Sequence, residues 1–357
     1  NIDKLKRVEG WGHRIARGLA VFCSCLVLFL VGYKVLVSPE SLPLSAAVLI
    51  VGIFAFFYLP VNGLYELIPL RSEANIAASS IYRYLNQIPE VSQAVGAKFL
   101  EPLSQSLQFE NVSYSLSGQD SKILNGFDLK IPAGTSTAFV SLEELAPRAV
   151  TFLIPRFIEP KSGRVLMDGE DTAWVTLESL RAEAIIVSGN DPCLTGTVKE
   201  NIRCGDERFS LQEIIAASKE AHAHQFIQNL PQGYETTLGQ NGEELTKGES
   251  FRLGLARAVL RKPALMIIEE PEGPLDEDTK TLLEDAYTRI FQNRTILIIP
   301  SRITTLRRVD QVVLIHDGKV EAVDSQPNLL KKSARYRHWE YTRFNQFRHT
   351  QEPAIDR

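Results

Sequence analysis

Three short stretches of this sequence bring together side chains that could do chemistry. "ALMIIEE" ends an apolar run on two adjacent glutamates, Glu269 and Glu270; a strand that ends this way can offer a carboxylate as a general base. "VSLEELAPRA", Val140 to Ala149, follows the short apolar run "STAFV", where a phosphate-binding loop would be expected. Such loops work because glycines let backbone N–H groups approach phosphates at a helix start, while a lysine bridges the outer phosphates and a hydroxyl holds magnesium. Here there is no glycine and no lysine, and Glu143 and Glu144 stand side by side. "LTKGE", residues 245–249, keeps a turn glycine, Gly248, and a helix start in which Thr246 takes the N-cap position and Glu249 the third.

The elements that must position these residues form an α/β pattern. "LQFENVSYSL" and "LNGFDLKIPAG" alternate at period two, and "STAFV" is a short buried strand. "ALMIIEE" and "RTILIIP" are apolar runs of the kind that parallel strands covered on both faces require. "QVVLIHDGKVEAVDS" predicts a hairpin turning at Asp317-Gly318. The result is α/β, with an antiparallel portion near each end of the domain.

Upstream lie two uncharged apolar stretches, one between Arg17 and Lys34 and one between Glu40 and Glu66. Their lengths predict a two-helix membrane hairpin, helices at about 18–37 and 42–66. Lys4, Lys6, Arg7, Arg14 and Arg17 before it, Arg71 and Arg83 after it and an uncharged-to-acidic "VSPES" between put both ends on the cytoplasmic side. "SEANIAASSIYRYLN" continues as a helix to about residue 87, and Pro89 in the polar linker supplies a stop.

The 357 residues are 44% apolar, enough for a real core, and the net charge of −4 is mixed along the chain. No basic footprint for nucleic acid exists outside the N-terminal stretch. Cys23 and Cys25 lie in an apolar run, and Cys193 and Cys204 lack metal-type spacing, so all four read as reduced thiols and no metal site is assigned. The sequons at Asn111 and Asn293 would matter only in a secreted domain.

In this order the stretches resemble an ATP-binding-cassette transporter of the exporter type. "FENVSYSL", "LNGFDLKIPAG" and "IEPKSGRVLMDGED" resemble the family's opening strands and the turn after its first helix. "LESLRAEAIIVSGNDPCLTGTVKENI" resembles its glutamine-loop region. "NLPQGYETTLGQNGEELTKGESFRLGLARAVLRKPALMIIEEPEGPLD" resembles the run from signature motif through Walker B to D-loop. "RTILIIPSRITTLRRVDQVVLIHDGKVEAVDS" resembles the switch-histidine region and closing hairpin. The resemblance implies a P-loop NTPase-like nucleotide-binding domain with antiparallel β and helical subdomains over 106–347, a linker at 91–105, and the C-terminal part of a transmembrane domain over 1–90. It also implies that four of six membrane helices precede Asn1, so that the chain is a fragment.

Carried over residue by residue, the resemblance finds most of the nucleotide chemistry altered. The glycines of the phosphate loop become Ser141, Glu144 and Ala146, its lysine becomes Pro147, and its magnesium hydroxyl becomes Arg148. The adenine-stacking aromatic becomes Leu116, with Tyr114 two residues earlier. The glutamine-loop residue is Gly189, or Asn190 with a one-residue gap; the Walker B aspartate is Glu269 and the switch histidine is Ser301. Glu270 stands at the catalytic-base position and Asp276 at the D-loop aspartate. Leu245, Thr246, Lys247, Gly248 and Glu249 form the signature, which in this family closes over a partner's phosphate loop; Lys247 replaces a glycine there.

Three readings follow. In the first, the chain is the non-catalytic half of a membrane exporter, its own site unable to use ATP and magnesium, its signature completing the site of a second half-transporter, identical or not. In the second it is an active ATP-driven transporter with an unusual loop. In the third it is a membrane-anchored scaffold that uses no nucleotide. The basic, aromatic C-terminal stretch is read as a last helix packing its aromatics on the domain, without a site.

Overall fold

The computed structural model describes residues 21–37, 43–86, 91–116, 121–190, 192–240, 242–273, 275–292 and 294–349, without the side chains of residues 55, 57–73 and 345–349. Contacts divide the chain into two units, residues 1–88 and 89–357.

In the first unit residues 21–37 are helical (α1), and α2 runs unbroken from Leu44 to Leu85, ending at Asn86. The expected apolar helix and its polar extension are therefore one element. The membrane hairpin itself is not supported, because among the described residues no helix is long and apolar enough to cross a bilayer. A crossing takes about 20 apolar residues. The described part of α1 is shorter than that, and the apolar part of α2 described with side chains is largely confined to residues 44–54. The basic residues 4–17, the "SPES" turn and Pro89 lie outside the described residues.

The second unit is built on a six-stranded sheet in the order β12-β11-β3-β10-β9-β6. Its strands are β3 (Ser136–Ser141), β6 (Ala184–Val187), β9 (Leu265–Glu269), β10 (Thr295–Ile299), β11 (Gln311–His316) and β12 (Lys319–Asp324). The first five are parallel, and β12 returns antiparallel through Asp317 and Gly318, both at positive φ, as the Asp-Gly turn requires. Period-two alternation divides the sheet's side chains between two cores. Ala138, Val140, Met266, Ile268, Ile296, Ile298, Val312 and Leu314 face one cluster, and Phe139, Leu265, Ile267, Leu297, Val313 and Ile315 face the other.

The second cluster is closed by an antiparallel sheet, β2-β1-β4-β5 (β1 Ser106–Tyr114, β2 Leu124–Pro132, β4 Ser162–Met167, β5 Glu170–Asp171), and by helices α3 (Leu145–Leu153) and α4 (Leu177–Glu183). The first cluster is closed by a helical portion, α5 (Val198–Arg203), α6 (Leu211–Glu220), α7 (His224–Asn229) and α8 (Lys247–Arg261), with α9 (Glu277–Ile290). A two-stranded ribbon, β7 (Gly196–Thr197) with β8 (Thr237–Leu238), ties the start of α5 to the chain before α8. The chain ends in α10 (Ile303–Arg308), which precedes β11, then α11 (Gln326–Lys332) and α12 (Ala334–His349) after β12. Tyr336 and Trp339 of α12 are buried in the first cluster, as the aromatic reading of this stretch anticipates.

Carboxylates that accept from neighbouring donors brace the chain beside these elements, and two are held far below the ordinary range. Asp324 accepts from Lys332 Nζ, Asn328 Nδ2 and Ser325 N, which pushes its carboxyl down to about 2. Asp206, held chiefly by the Arg208 side chain, is likewise at about 2. A depressed folded value means that the stability contributed is complete above the unfolded value of 3.8 and is lost as pH falls toward about 2. Thermal melts followed across that interval are expected to show a steep acid loss, made shallower by Asp324→Asn, which removes one of the titrating groups.

Candidate functional site

β3, β9 and β10 deliver their carboxyl ends to one cavity of about 280 Å³, lined among others by Ser141, Glu144, Arg148, Glu269, Ser301 and Arg343. It is the crevice beyond the strand ends where parallel α/β sheets place ligands.

The loop after β3 folds on itself. Ser141 Oγ donates to Glu143 Oε2 at 2.8 Å and accepts from Glu143 N at 3.0 Å. The N–H that a phosphate loop would turn toward a ligand therefore meets a hydroxyl of the same loop. Glu143 also reaches the His316 ring, Nδ1 to Oε1 at 3.2 Å, while Nε2 of that ring lies 3.3 Å from Asp317. These three residues bring one ligand atom each within 4.8 Å; both ring nitrogens already face a carboxylate. Glu144 ends the loop with its side chain 77% exposed. Ala146 and Pro147 are buried in the first turn of α3, where a proline costs no helical hydrogen bond.

Arg148 points from α3 across the cavity floor. Its Nε and Nη2 both lie 2.5 Å from Glu269 Oε1, and Nη2 is 3.7 Å from Glu272. Arg343, from α12, reaches Glu272 at 3.6 Å and Glu144 at 3.7 Å. Arginines and glutamates thus alternate across the site.

Glu270 stands at the wall of the same cavity but is buried, its side chain fully enclosed. It accepts five hydrogen bonds: from Ser301 N (2.8 Å), Arg302 N (3.1 Å), Arg302 Nε (3.1 Å), Arg302 Nη2 (2.5 Å) and Thr305 Oγ1 (2.7 Å). Burial opposes the charge of Arg302, but Glu270 offsets it and the guanidinium stays above its ordinary value. Arg302 also lies 5.5 Å above the Tyr287 ring, and burial pushes the Tyr287 hydroxyl well up. Ser301 Oγ donates to Pro271 O at 2.8 Å. The catalytic-base and switch positions are therefore bonded to each other, joining the end of β9 to the start of α10.

Gly189 sits against the same segment. A Cβ there would stand 2.5 Å from Pro271 Cα and 2.8 Å from the Glu270 carbonyl carbon, so no side chain fits without backbone movement. Asn190, beside it, bonds Ser188 Oγ through its backbone N–H. Leu116 is partly exposed beyond the end of β1, and Tyr114 packs half-buried against the second core cluster.

The signature stretch lies apart from these residues, at the start of α8. Thr246 and Glu249 form a complete capping box, with Glu249 N on Thr246 Oγ1 and Thr246 N on Glu249 Oε2. Leu245 packs on the first cluster, and Lys247 is exposed. Gly248 is buried against Thr279; a Cβ would meet its Cγ2 at 2.6 Å. Asp276 caps α9 by accepting from Thr279 N at 2.7 Å, and the Thr279 bonds hold its carboxyl below the usual range. Thr279 thereby joins the signature and D-loop positions.

Sequence reasoning missed four contributors: Arg302 and Thr305, which hold Glu270, and Glu272 and Arg343, which extend the ion-pair network. Arg302 directly follows Ser301, and an arginine next to a position facing an acidic strand end was an available signal. Arg343 gave none, since its partners lie far away in sequence.

Residues 150–273 match the ABC transporter family. The chain is 33% identical over 285 residues to an ATP-dependent lipid A-core flippase of Chromobacterium violaceum, covering 80% of this chain and 48% of that protein. It is 34% identical over 263 residues to ABC transporter B family member 1 of Arabidopsis thaliana, covering 73% and 20%. Among solved structures, a bacterial Atm1-family ABC exporter with ATP bound superposes with a TM-score of 0.69 at 28% identity, over 83% of this chain and 51% of that one. The chain belongs to the ATP-binding-cassette transporter family, and its second unit has the fold of that family's nucleotide-binding domain. It spans about half the length of the flippase and of the solved exporter.

Glu270→Ala would leave Arg302 charged and unpaired in a buried site, at a cost of about 3 kcal/mol or more. Urea unfolding is the measurement; an unchanged midpoint would contradict the structural role of the carboxylate.

Proposed function

We propose that this chain is an exporter-type membrane transport subunit whose own site does not use ATP and which works as the non-catalytic half of a paired assembly. The observation that carries the reading is the ion pair from Arg148 to Glu269. In the family these two positions serve magnesium, one as hydroxyl and one as aspartate; here they neutralise each other. The self-bonded loop at Ser141 and Glu143, the closed approach of Gly189 to Pro271 and the enclosed Glu270 support the same reading. Each charge-assisted bond a nucleotide would have to make here is worth about 1.5–3 kcal/mol, and the Arg148, Glu269 and Glu270 side chains already have protein partners. Magnesium and triphosphate do not fit this donor set, and no catalytic step is assigned to it.

A membrane setting is supported by the large apolar side chains left exposed on the first unit, Phe22, Leu26, Phe29 and Leu30 on α1 and Leu44, Val48, Leu49 and Phe56 on α2, which require apolar surroundings. The nucleotide-binding-like unit then lies on the cytoplasmic side. At the signature, the exposed Lys247 side chain is available to an anion presented by another subunit.

The test is equilibrium binding of a fluorescent ATP analogue, with magnesium, to the full chain. No saturable binding up to millimolar concentration is expected, and micromolar binding competed by ATP would overturn the reading. Restoring glycines and a lysine across Ser141 to Ala149 is expected to leave hydrolysis absent, because Leu116, Gly189 and Ser301 are unchanged; substantial ATPase activity would show that the alteration is confined to the loop.

A further inference from the structure

We propose that the second half of α12 is a strap that closes one side of the cavity, held shut by Arg343 and released as ionic strength rises. The inference rests on the reading of the site as one that does not use ATP. It deepens that reading by naming what joins the cavity's edges in a nucleotide's place and what controls it.

α12 is held in two different ways along its length. Its first half is fixed by burial and by close hydrogen bonds. Tyr336 and Trp339 are 0% and 5% exposed in the first cluster. Arg337 Nη1 donates to Leu330 O at 2.8 Å, and Glu340 Oε2 accepts from Gln326 Nε2 at 3.0 Å. Beyond Glu340 the hold changes. Tyr341 is 63% exposed, and Thr342, Arg343 and Phe344 are half-buried. Phe344 meets the Trp339 ring edge-on at 5.7 Å. Among the described side chains of this half, Arg343 alone forms ion pairs.

Arg343 lines the cavity together with Trp339 and Thr342. It stands 3.7 Å from Glu144 Oε1 through Nη1 and 3.6 Å from Glu272 Oε1 through Nη2. Glu144 is the N-cap residue of α3 and Glu272 follows β9, so one guanidinium spans two edges of the cavity. Both contacts exceed hydrogen-bond length, and the Glu144 and Glu272 side chains are 77% and 60% exposed. The attachment is therefore Coulombic, in contact with solvent and open to screening by salt. A helix pinned by burial at one end and by screenable charge at the other opens locally at the charged end, ahead of the whole element.

Release does not turn the cavity into a nucleotide site. Glu270 is neutralised by Arg302, but Glu144, Glu269 and Glu272 then face Arg148 alone. That surplus of negative charge still opposes a triphosphate. What release changes is access to the cavity and the link between the loop after β3 and the segment after β9.

The experiment is amide hydrogen exchange on the full chain in detergent at about 0.1 M and about 1 M salt, between which the screening length falls from about 10 Å to about 3 Å. The native chain is compared with Arg343→Gln and with the double variant Glu144→Gln/Glu272→Gln. Amides of residues 341–349 in the native chain are expected to exchange about fivefold or more faster at the higher salt, and those of both variants to be fast at either salt. Residues 336–340 keep their protection throughout, which separates opening of the strap from loss of the helix. Exchange at 341–349 that ignores salt and substitution, or deprotection that spreads equally to 336–340, would overturn the inference. A fluorescent ATP analogue bound with magnesium by the native or the Arg343→Gln chain, alongside the expected exchange, would overturn the reading of the site and leave the strap standing.

Discussion

The contact between the Arg148 guanidinium and the Glu269 carboxylate is the constraint around which the cavity is arranged. It joins the first turns of α3 to the end of β9, the two elements between which a phosphate and its metal would otherwise lie. Two opposite charges at hydrogen-bond distance in a partly enclosed cleft attract each other more than they would in water. A ligand entering the cleft would have to break that contact and satisfy both halves. Arg343 extends the same alternation by linking Glu144 and Glu272, so the last helix also belongs to the site.

A second constraint lies just behind the first. Glu270 binds the backbone and side chains of residues 301–305, and Gly189 lies against Pro271 with no space for a side chain. The segment after β9 is therefore fixed on two sides. A carboxylate with five donors has neither a free lone pair for a water nor a reason to leave its position. The signature side differs: its helix is fully capped, its glycine is packed on Thr279, and its lysine is left in solvent.

Much of the fold was legible because parallel strands covered on both faces leave a plain mark. The runs ending in Glu269 and Pro300 are apolar without a break, and Asp317-Gly318 names its own turn. Capping residues were legible for the same local reason, Thr246 and Glu249 above all. What a local pattern does not carry is pairing at long range. Arg148 was read as standing at the magnesium-hydroxyl position; its partner lies 121 residues away, and nothing in "VSLEELAPRA" names it. Glu270 was read as a base position, while Arg302 and Thr305, which decide its state, stand 32 and 35 residues later. The membrane hairpin was inferred from length and lack of charge, and the helices as described are too short in apolar length to support it.

The most direct test is a double-mutant cycle on Arg148 and Glu269 in the absence of nucleotide, with Arg148→Ala, Glu269→Ala and the pair compared by denaturant unfolding. If the two side chains hold each other in place of a ligand, they are coupled by about 1 kcal/mol or more, and added MgATP leaves the native midpoint unchanged. Independent effects of the two substitutions, with a midpoint that rises with MgATP, would mean that the pair opens for a nucleotide and that the site is a working one.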